Sequence, residues 1–194
     1  MELGLVNDTD VILGPSYKGS AIASATAIAL YTHHGCDLFF EYDRKEAKTH
    51  GEGSKAVSLF VNGSFFDGCR VFIVDDVATS MGTKYDLLKR VEVEAESKKI
   101  EIKMMGLGIA IDREQTTAVY DREGNVSMDH KGENAIQNFV TKTEIPVYSV
   151  AGIKEVIEYL YQEKVPVTIE GTKTPIDDKT KDEFDEYVKT YGVS

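Results

Sequence analysis

The chain has 194 residues, of which 42% are hydrophobic and 28% are charged. This length and composition fit one domain spanning 1–194 and exclude a disordered chain, which has too few apolar residues to form a core. The formal net charge of −11 means that most of the surface would repel a nucleic-acid backbone. Nucleic acid is therefore not an expected partner, whereas an anionic small molecule needs only a local cluster of positive charge.

The sequence carries no pattern for a membrane or for export. No apolar run reaches the roughly 18 to 20 residues that a membrane span requires, and the first ten residues lack the features of a secretory signal. Only Cys36 and Cys69 are present, too few for a disulfide scaffold or a zinc site. We therefore expect a cytoplasmic protein that makes no contact with membranes.

Short β-rich runs alternate with helical patterns, which is typical of a parallel sheet flanked by helices. Strands are predicted at 10–14, 37–42, 71–74, 100–111 and 145–149, and helices at 20–33, 82–97, 133–142, 153–162 and 175–191. The continuously apolar run 71–74 predicts a central strand, and the Ala-rich run 20–33 predicts a buried helix. A polar loop is predicted at 43–56 and a hairpin at 118–126.

The segment 71–83 (VFIVDDVATSMGT) carries the strongest local signal for a ligand site. An apolar strand is predicted to end in Asp75 and Asp76, and a loop of small and hydroxylated residues then leads into a helix. Ligands of open α/β sheets bind beyond the carboxyl ends of the strands, and N–H groups at a helix N-terminus suit a phosphate. The alternatives are a capped helix with two surface acids, or a receiver-type phosphoacceptor domain, which also pairs acids at a strand end.

This segment resembles the phosphoribosyl-pyrophosphate (PRPP) motif of the type I phosphoribosyltransferases. Residues 13–19 (LGPSYKG) and 43–53 (DRKEAKTHGEG) narrow the resemblance to the orotate phosphoribosyltransferases, and a receiver domain would predict neither. The resemblance runs from about Asp10 to Leu160 and includes 111–114 (IDRE). It implies the α/β fold of that family, with a parallel central sheet flanked by helices.

The resemblance also implies an activity. A phosphoribosyl group would pass from PRPP to orotate, giving orotidine 5′-monophosphate and pyrophosphate in pyrimidine biosynthesis. The implied cofactor is Mg²⁺, held mainly by PRPP and water with no direct protein ligand, and the implied assembly is a homodimer. Two alternatives stay open: a non-enzymatic module that senses PRPP or a nucleotide, and a phosphoribosyltransferase for another base.

The resemblance assigns roles to individual residues. Lys18 would meet the pyrophosphate, Asp75 and Asp76 would hold the ribose hydroxyls, and Arg113 would bind orotate with help from Thr79. The 5′-phosphate would lie against Thr79, Ser80, Met81, Gly82 and Thr83. A mobile loop that closes over the neighbouring subunit would supply Arg44, Lys45, Lys48 and His50. The implied catalytic residues are Lys48, Arg44, Asp75 and Asp76.

The residues alone also allow plainer interpretations. The basic segment 43–53 fits a solvated charged loop, Lys18 fits a surface lysine beside a turn, and Arg113 fits a structural ion pair with Asp112. The four basic loop positions indicate a site only when they are taken together with the other two motifs.

Two features depart from the family pattern. Met81 occupies a position that is usually Gly, and a positive φ there would strain it by about 1–3 kcal/mol. Either the turn shifts by one residue, to Gly82, or the affinity for phosphate is reduced. Family members also carry a helix and a strand before the first sheet strand, which form a hood over orotate. This chain reaches its first strand by Asp10, so we expect that amino-terminal hood segment to be missing.

Overall fold

The chain folds into the alternating strands and helices that the sequence predicts. The computed structural model describes residues 4–45, 58–117, 119, 132–169 and 171–193. Its strands are β1 (Val11–Gly14), β2 (Phe39–Tyr42), β3 (Cys69–Ala78), β4 (Ile102–Asp112), β5 (Val147–Gly152), β6 (Val167–Ile169) and β7 (Thr172–Thr174). Its helices are α1 (Lys18–His34), α2 (Gly82–Lys98), α3 (Ala135–Thr143), α4 (Ile153–Gln162) and α5 (Asp178–Tyr191).

Five of these strands form one sheet in the order β2-β1-β3-β4-β5. Strand β1 lies between β2 and β3 and pairs with both in parallel. Val11 of β1 lies opposite Phe39 of β2 and opposite Val71 of β3. The predicted central position of the apolar run 71–74 is confirmed, because β3 has neighbours on both sides. The predicted class, a parallel α/β fold, is confirmed as well.

The described residues divide into two compact units. The first comprises the described residues within Met1–Asp76, Met81–Ile109 and Thr143–Tyr148, and the second comprises those within Val77–Ser80, Ala110–Lys142 and Ser149–Ser194. One domain over 1–194 stays a prediction. Among the described residues, no helix is both long enough and apolar enough to cross a membrane.

In the first unit, helix α1 covers one face of the sheet. Ala23 packs with Ile12 and Val74, which lie on the same face of neighbouring strands. Burial on α1 follows Gly19, Ala23 and Ala27, a stripe with a spacing of four residues. The prediction of a buried helix is therefore right for this stripe only. The helix ends at Gly35, whose φ of 66° is the left-handed conformation typical of a helix C-terminus.

In the second unit, the carboxyl-terminal part folds into a hairpin and a capped helix. Strands β6 and β7 pair antiparallel, and this hairpin was not predicted because each strand has only three residues. Helix α5 begins three residues later than predicted, where the Asp177 side chain accepts a hydrogen bond from the Thr180 N–H at 2.8 Å. The predicted hairpin 118–126 lies, except for residue 119, outside the described residues.

Candidate active site

A tight turn follows the carboxyl end of β1 and leads into α1. The backbone passes so close that a Cβ atom on Gly14 would lie 1.9 Å from the carbonyl oxygen of Gly19. Only glycine fits at this position, and the peptide bond between Ser16 and Tyr17 is cis. Lys18 leaves this turn as the first residue of α1, with its side chain 79% exposed.

Lys18, the first residue of α1, and Asp76, inside β3, form an ion pair. The Lys18 ammonium donates to a carboxylate oxygen of Asp76 at 2.6 Å. This hydrogen bond, together with the negative charge of Asp76, raises the pKa of Lys18 above its ordinary value. The residue that the family resemblance assigns to pyrophosphate therefore contacts one of the acids that it assigns to ribose.

Asp75 and Asp76 lie within β3, which continues to Ala78. The prediction that the strand stops before the two acids is wrong, because β3 includes both of them. Side chains alternate along a strand, so the two carboxylates have different surroundings. The Asp76 side chain is 29% exposed, whereas that of Asp75 is 9% exposed.

Asp75 pairs with a buried lysine that the sequence did not single out. The Lys84 ammonium lies 2.6 Å from a carboxylate oxygen of Asp75, and the other carboxylate oxygen accepts the Asp76 N–H at 2.9 Å. Lys84 belongs to the first turn of α2 and its side chain is 5% exposed. No sequence pattern links a strand residue to a lysine nine positions later, so this pair had no signal in the sequence.

The turn before α2 is left-handed at Met81. This residue has φ 63° and ψ 4° and is 1% exposed. Its carbonyl oxygen accepts the N–H groups of Lys84 at 3.0 Å and Tyr85 at 3.1 Å, so Met81 starts the helix at Gly82. The turn has not shifted to Gly82, and Met81 carries the strain that a positive φ imposes on a residue with a Cβ atom. Gly82 and Thr83 are exposed.

Thr79 and Ser80 belong to the second unit. Thr79 is half-buried and Ser80 is exposed.

Arg44 and Lys45 lie where β2 runs into the basic segment. Arg44 donates from Nε to the carbonyl oxygen of Phe60 at 3.2 Å, and the Lys45 ammonium lies 4.7 Å from the centre of the Tyr17 ring. The Lys45 contact is a cation–π interaction with the turn that bears Lys18. The other two predicted loop residues, Lys48 and His50, lie outside the described residues.

Arg113 follows β4 in the second unit, and its side chain is exposed. It donates to the Tyr187 hydroxyl at 3.3 Å, and Gln115 also donates to that hydroxyl. The Asp112 carboxylate accepts the Glu114 N–H at 2.7 Å and thereby stabilises the turn at 112–114. Sequence reasoning missed Tyr187, which comes from helix α5.

A second buried carboxylate, Glu41, shapes the first unit and was also missed. It is fully buried and accepts backbone N–H groups from Tyr42, Val61, Asn62 and Ser64 at 2.8–3.1 Å. These bonds fix residues 61–64 beside β2. The sequence did contain a signal for this cluster, because a glutamate stands within the run FFEY of β2 and a buried acid requires hydrogen-bond partners.

Comparisons with known proteins find orotate phosphoribosyltransferases. The chain is 30% identical over 188 residues to the orotate phosphoribosyltransferase of Clostridium acetobutylicum, an alignment that covers 96% of this chain and 72% of that protein. It is 33% identical over 153 residues to the orotate phosphoribosyltransferase of Chromohalobacter salexigens, covering 79% of this chain and 57% of that relative. The chain thus spans less than two thirds of some relatives that it matches. No family model matches it.

The fold has a counterpart among solved structures. The crystal structure of orotate phosphoribosyltransferase from Francisella tularensis superposes with a TM-score of 0.59 and 23% identity, and it covers 99% of this chain and 76% of that one. At this identity the likeness establishes the fold alone.

Proposed function

Because this chain belongs to the orotate phosphoribosyltransferase family, we propose that it transfers phosphoribose from PRPP to orotate. The bond from ribose C1 to the diphosphate oxygen breaks, and a bond from C1 to a ring nitrogen of orotate forms. The products are orotidine 5′-monophosphate and pyrophosphate, as pyrimidine biosynthesis requires. The contact that carries the proposal is the 2.6 Å ion pair between Lys18 and Asp76, because it joins a cation for the diphosphate to an acid for the ribose.

The PRPP site has three parts in this proposal. Lys18 binds the diphosphate, and the carboxylates of Asp75 and Asp76 accept hydrogen bonds from the ribose hydroxyls. Main-chain N–H groups and hydroxyls of residues 79–83 bind the 5′-phosphate, as helix N-termini bind anions elsewhere. When PRPP binds, the contact between Lys18 and Asp76 must break, and each side chain then contacts the substrate instead. Asp76 is the more accessible acid, since Asp75 is paired with buried Lys84.

Catalysis is electrostatic in this proposal. As the C1–O bond breaks, ribose becomes oxocarbenium-like and the diphosphate gains charge, so cations that gather on the leaving group lower the barrier. Lys48 and Arg44 supply that charge, with Lys45 and His50 binding PRPP beside them. These residues belong to the loop that serves the neighbouring subunit, so the proposal includes a homodimer. Arg113 and Thr79 bind orotate.

Mg²⁺ fits the groups present if the substrate provides most of its ligands. Among the described residues, no three His, Cys, Asp or Glu side chains are close enough to hold a metal ion. Mg²⁺ prefers phosphate oxygens and retains several waters, so PRPP and water hold the ion in this proposal, with no direct protein ligand. When bound, the ion would neutralise charge on the diphosphate as it leaves. We include Mg²⁺ dependence and a cytoplasmic location in the proposal.

One observation favours a second candidate function. The strained and buried Met81 lies in the turn proposed to receive the 5′-phosphate, where backbone must approach the ligand closely. This departure from the family pattern motivates the alternative of a module that binds PRPP or a nucleotide without turning it over. Calorimetry with PRPP and Mg²⁺ beside a turnover assay separates the two, because the sensor binds PRPP and releases no pyrophosphate.

The test of the enzyme proposal compares acceptors. With PRPP and Mg²⁺ fixed, pyrophosphate release is measured with orotate, uracil and hypoxanthine at equal concentrations. The proposal predicts release with orotate, in step with orotidine 5′-monophosphate, and background release with the other two bases. Preference for uracil or hypoxanthine would assign the chain to another base and remove orotate from the proposal.

A further inference from the structure

Helix α5 brings a tyrosine hydroxyl to Arg113. The Arg113 guanidinium donates from Nη2 to the Tyr187 hydroxyl at 3.3 Å, and the side-chain amide of Gln115 donates to the same oxygen. All three residues belong to the second unit, and Tyr187 is 38% exposed. Two donors from the segment that follows β4 therefore converge on one acceptor from a distant part of the chain.

Backbone hydrogen bonds hold these two segments side by side. The Thr116 N–H donates to the Tyr191 carbonyl oxygen at 3.0 Å, and the Val193 N–H donates to the Glu114 carbonyl oxygen at 2.8 Å. These antiparallel contacts place the residues that follow Arg113 alongside the end of α5. The fold of the backbone, and not only the side chains, thus sets the position of the tyrosine hydroxyl.

Helix α4 reinforces the same contact through Lys154. Its N–H donates to the Glu114 carboxylate at 2.9 Å, and its ammonium donates to the Val193 carbonyl oxygen at 3.0 Å. One lysine therefore bonds both segments, so the end of α5 has a fixed position relative to the residues around Arg113.

Arg113 has no acidic partner among the described residues. The carboxylate of the adjacent Asp112 accepts the Glu114 N–H instead. Tyr187 accepts one N–H of the guanidinium and leaves a pair of parallel N–H groups, the arrangement that binds a carboxylate through two hydrogen bonds. Orotate carries such a carboxylate on its pyrimidine ring.

We propose that Tyr187 is a positioning residue for orotate, because it holds the Arg113 guanidinium in the orientation that binds the carboxylate of orotate. This inference rests on the proposed function. Tyr187 does not touch the substrate in this account and acts through Arg113. An arginine side chain has several rotatable bonds, so a ligand that must fix a mobile guanidinium loses affinity to rotamer entropy. A guanidinium that is fixed before orotate arrives avoids this loss.

The chain provides a matched control on the same helix. The Tyr161 hydroxyl of α4 donates to a carboxylate oxygen of Asp178, the first residue of α5, at 2.8 Å. Tyr161→Phe and Tyr187→Phe thus each remove one phenolic hydroxyl, at opposite ends of α5. Both keep the aromatic ring, so the contact between the Tyr187 and Tyr191 rings, 5.0 Å apart, is retained. A general loosening of α5 would appear in both variants, whereas loss of positioning would appear only in Tyr187→Phe.

The first measurement is ¹⁵N relaxation of the Arg113 side chain in the full-length protein without substrate. The ¹H–¹⁵N NOE of the Arg113 Nε, assigned by comparison with Arg113→Lys, reports motion on the picosecond to nanosecond timescale. It should indicate a restricted group in wild type and in Tyr161→Phe, and it should fall toward that of an unrestrained side chain in Tyr187→Phe. Equal values in wild type and Tyr187→Phe would overturn the positioning role, whatever the activity.

The second measurement is steady-state kinetics with PRPP and orotate. Tyr187→Phe should raise KM for orotate about 3- to 10-fold, the usual effect of one lost hydrogen bond, and leave kcat and the KM for PRPP unchanged. Tyr161→Phe should leave all three constants unchanged. The same rise in Tyr161→Phe, or an equal change in kcat or in KM for PRPP, would reveal a general structural effect and overturn the positioning role.

A double variant tests whether Tyr187 acts through Arg113. Adding Tyr187→Phe to Arg113→Gln should change kcat/KM for orotate by less than about twofold, because no guanidinium remains to be oriented. A further loss as large as that of Tyr187→Phe alone would show that the hydroxyl acts independently of Arg113, which contradicts the proposal.

The readouts separate this inference from the proposed function. A wild type that releases no pyrophosphate with orotate would refute the proposed function, and the NOE would still decide whether Tyr187 orders Arg113. An active wild type in which Tyr187→Phe leaves the KM for orotate unchanged would refute the positioning role alone.

Discussion

Lys84 and Asp75 form a buried ion pair at the base of the proposed ribose site, with 2.6 Å between the ammonium and the carboxylate. Both side chains are more than nine-tenths buried, so the attraction between the two charges offsets part of the cost of removing each from water. The pair leaves the two adjacent acids of β3 in unequal environments, with Asp75 held in the interior and Asp76 beside exposed Lys18.

The Lys84→Met variant should lose stability because it leaves the Asp75 carboxylate buried without this cation. Breaking a buried pair from one side typically costs about 3–5 kcal/mol, and urea unfolding would measure it. The double variant Lys84→Met/Asp75→Asn should regain part of the loss. Lys103→Met, which breaks an exposed pair with Glu101, is the control and should cost less than about 1 kcal/mol. Equal losses for Lys84→Met and Lys103→Met would contradict the account.

The Met81→Gly variant should also be less stable than wild type. Relief of the left-handed strain returns about 1–3 kcal/mol, whereas removal of a buried methionine side chain costs about 2–5 kcal/mol. Lys99 is the matched control, since it is also left-handed, with φ 56°, but exposed at the end of α2. Lys99→Gly should therefore raise stability by about 1 kcal/mol. Thermal unfolding of both variants checks the signs, and stabilisation by Met81→Gly would show that the side chain is poorly packed.

The pKa of Lys18 should depend on Asp76. The hydrogen bond to the Asp76 carboxylate raises this pKa, so the stability that the pair contributes is fully present below the ordinary lysine value of 10.5 and is lost as pH rises through the folded value. In Asp76→Asn the pKa of Lys18 should fall toward its ordinary value. A ¹³C NMR titration of the Lys18 Cε in both proteins measures the change, and identical titrations would show that the pair does not form in solution.

The Lys48→Ala variant should lower kcat by about 10²–10³-fold, the typical loss when one group that stabilises developing charge is removed. PRPP should still bind, because Lys18 and residues 79–83 keep their contacts. Turnover at saturating PRPP, with affinity from calorimetry, gives both quantities. Lys103→Ala is the control for removal of a lysine charge. Turnover near the wild-type value would remove Lys48 from its catalytic role.

The order of strands and helices could be predicted from hydrophobic runs, whereas the contact between Lys18 and Asp76 was not predicted. Ion pairs between single charged residues that belong to no motif could not be predicted. Lys84 belongs to an ordinary amphipathic helix pattern, and its burial is decided by Asp75 across the turn. The ion pair between Asp43 and Arg90 joins residues 47 positions apart, and no motif links them. The predicted strand, 71–74, is shorter than β3 (Cys69–Ala78) because two adjacent acids usually indicate that a buried strand has ended.

A crystal structure with PRPP and Mg²⁺ tests the central claim most directly. The account predicts the diphosphate at Lys18, the ribose hydroxyls at Asp76 with the Lys18–Asp76 pair broken, and the 5′-phosphate against residues 79–83. PRPP bound elsewhere, or an unbroken pair with the Met81 side chain filling the phosphate position, would contradict it.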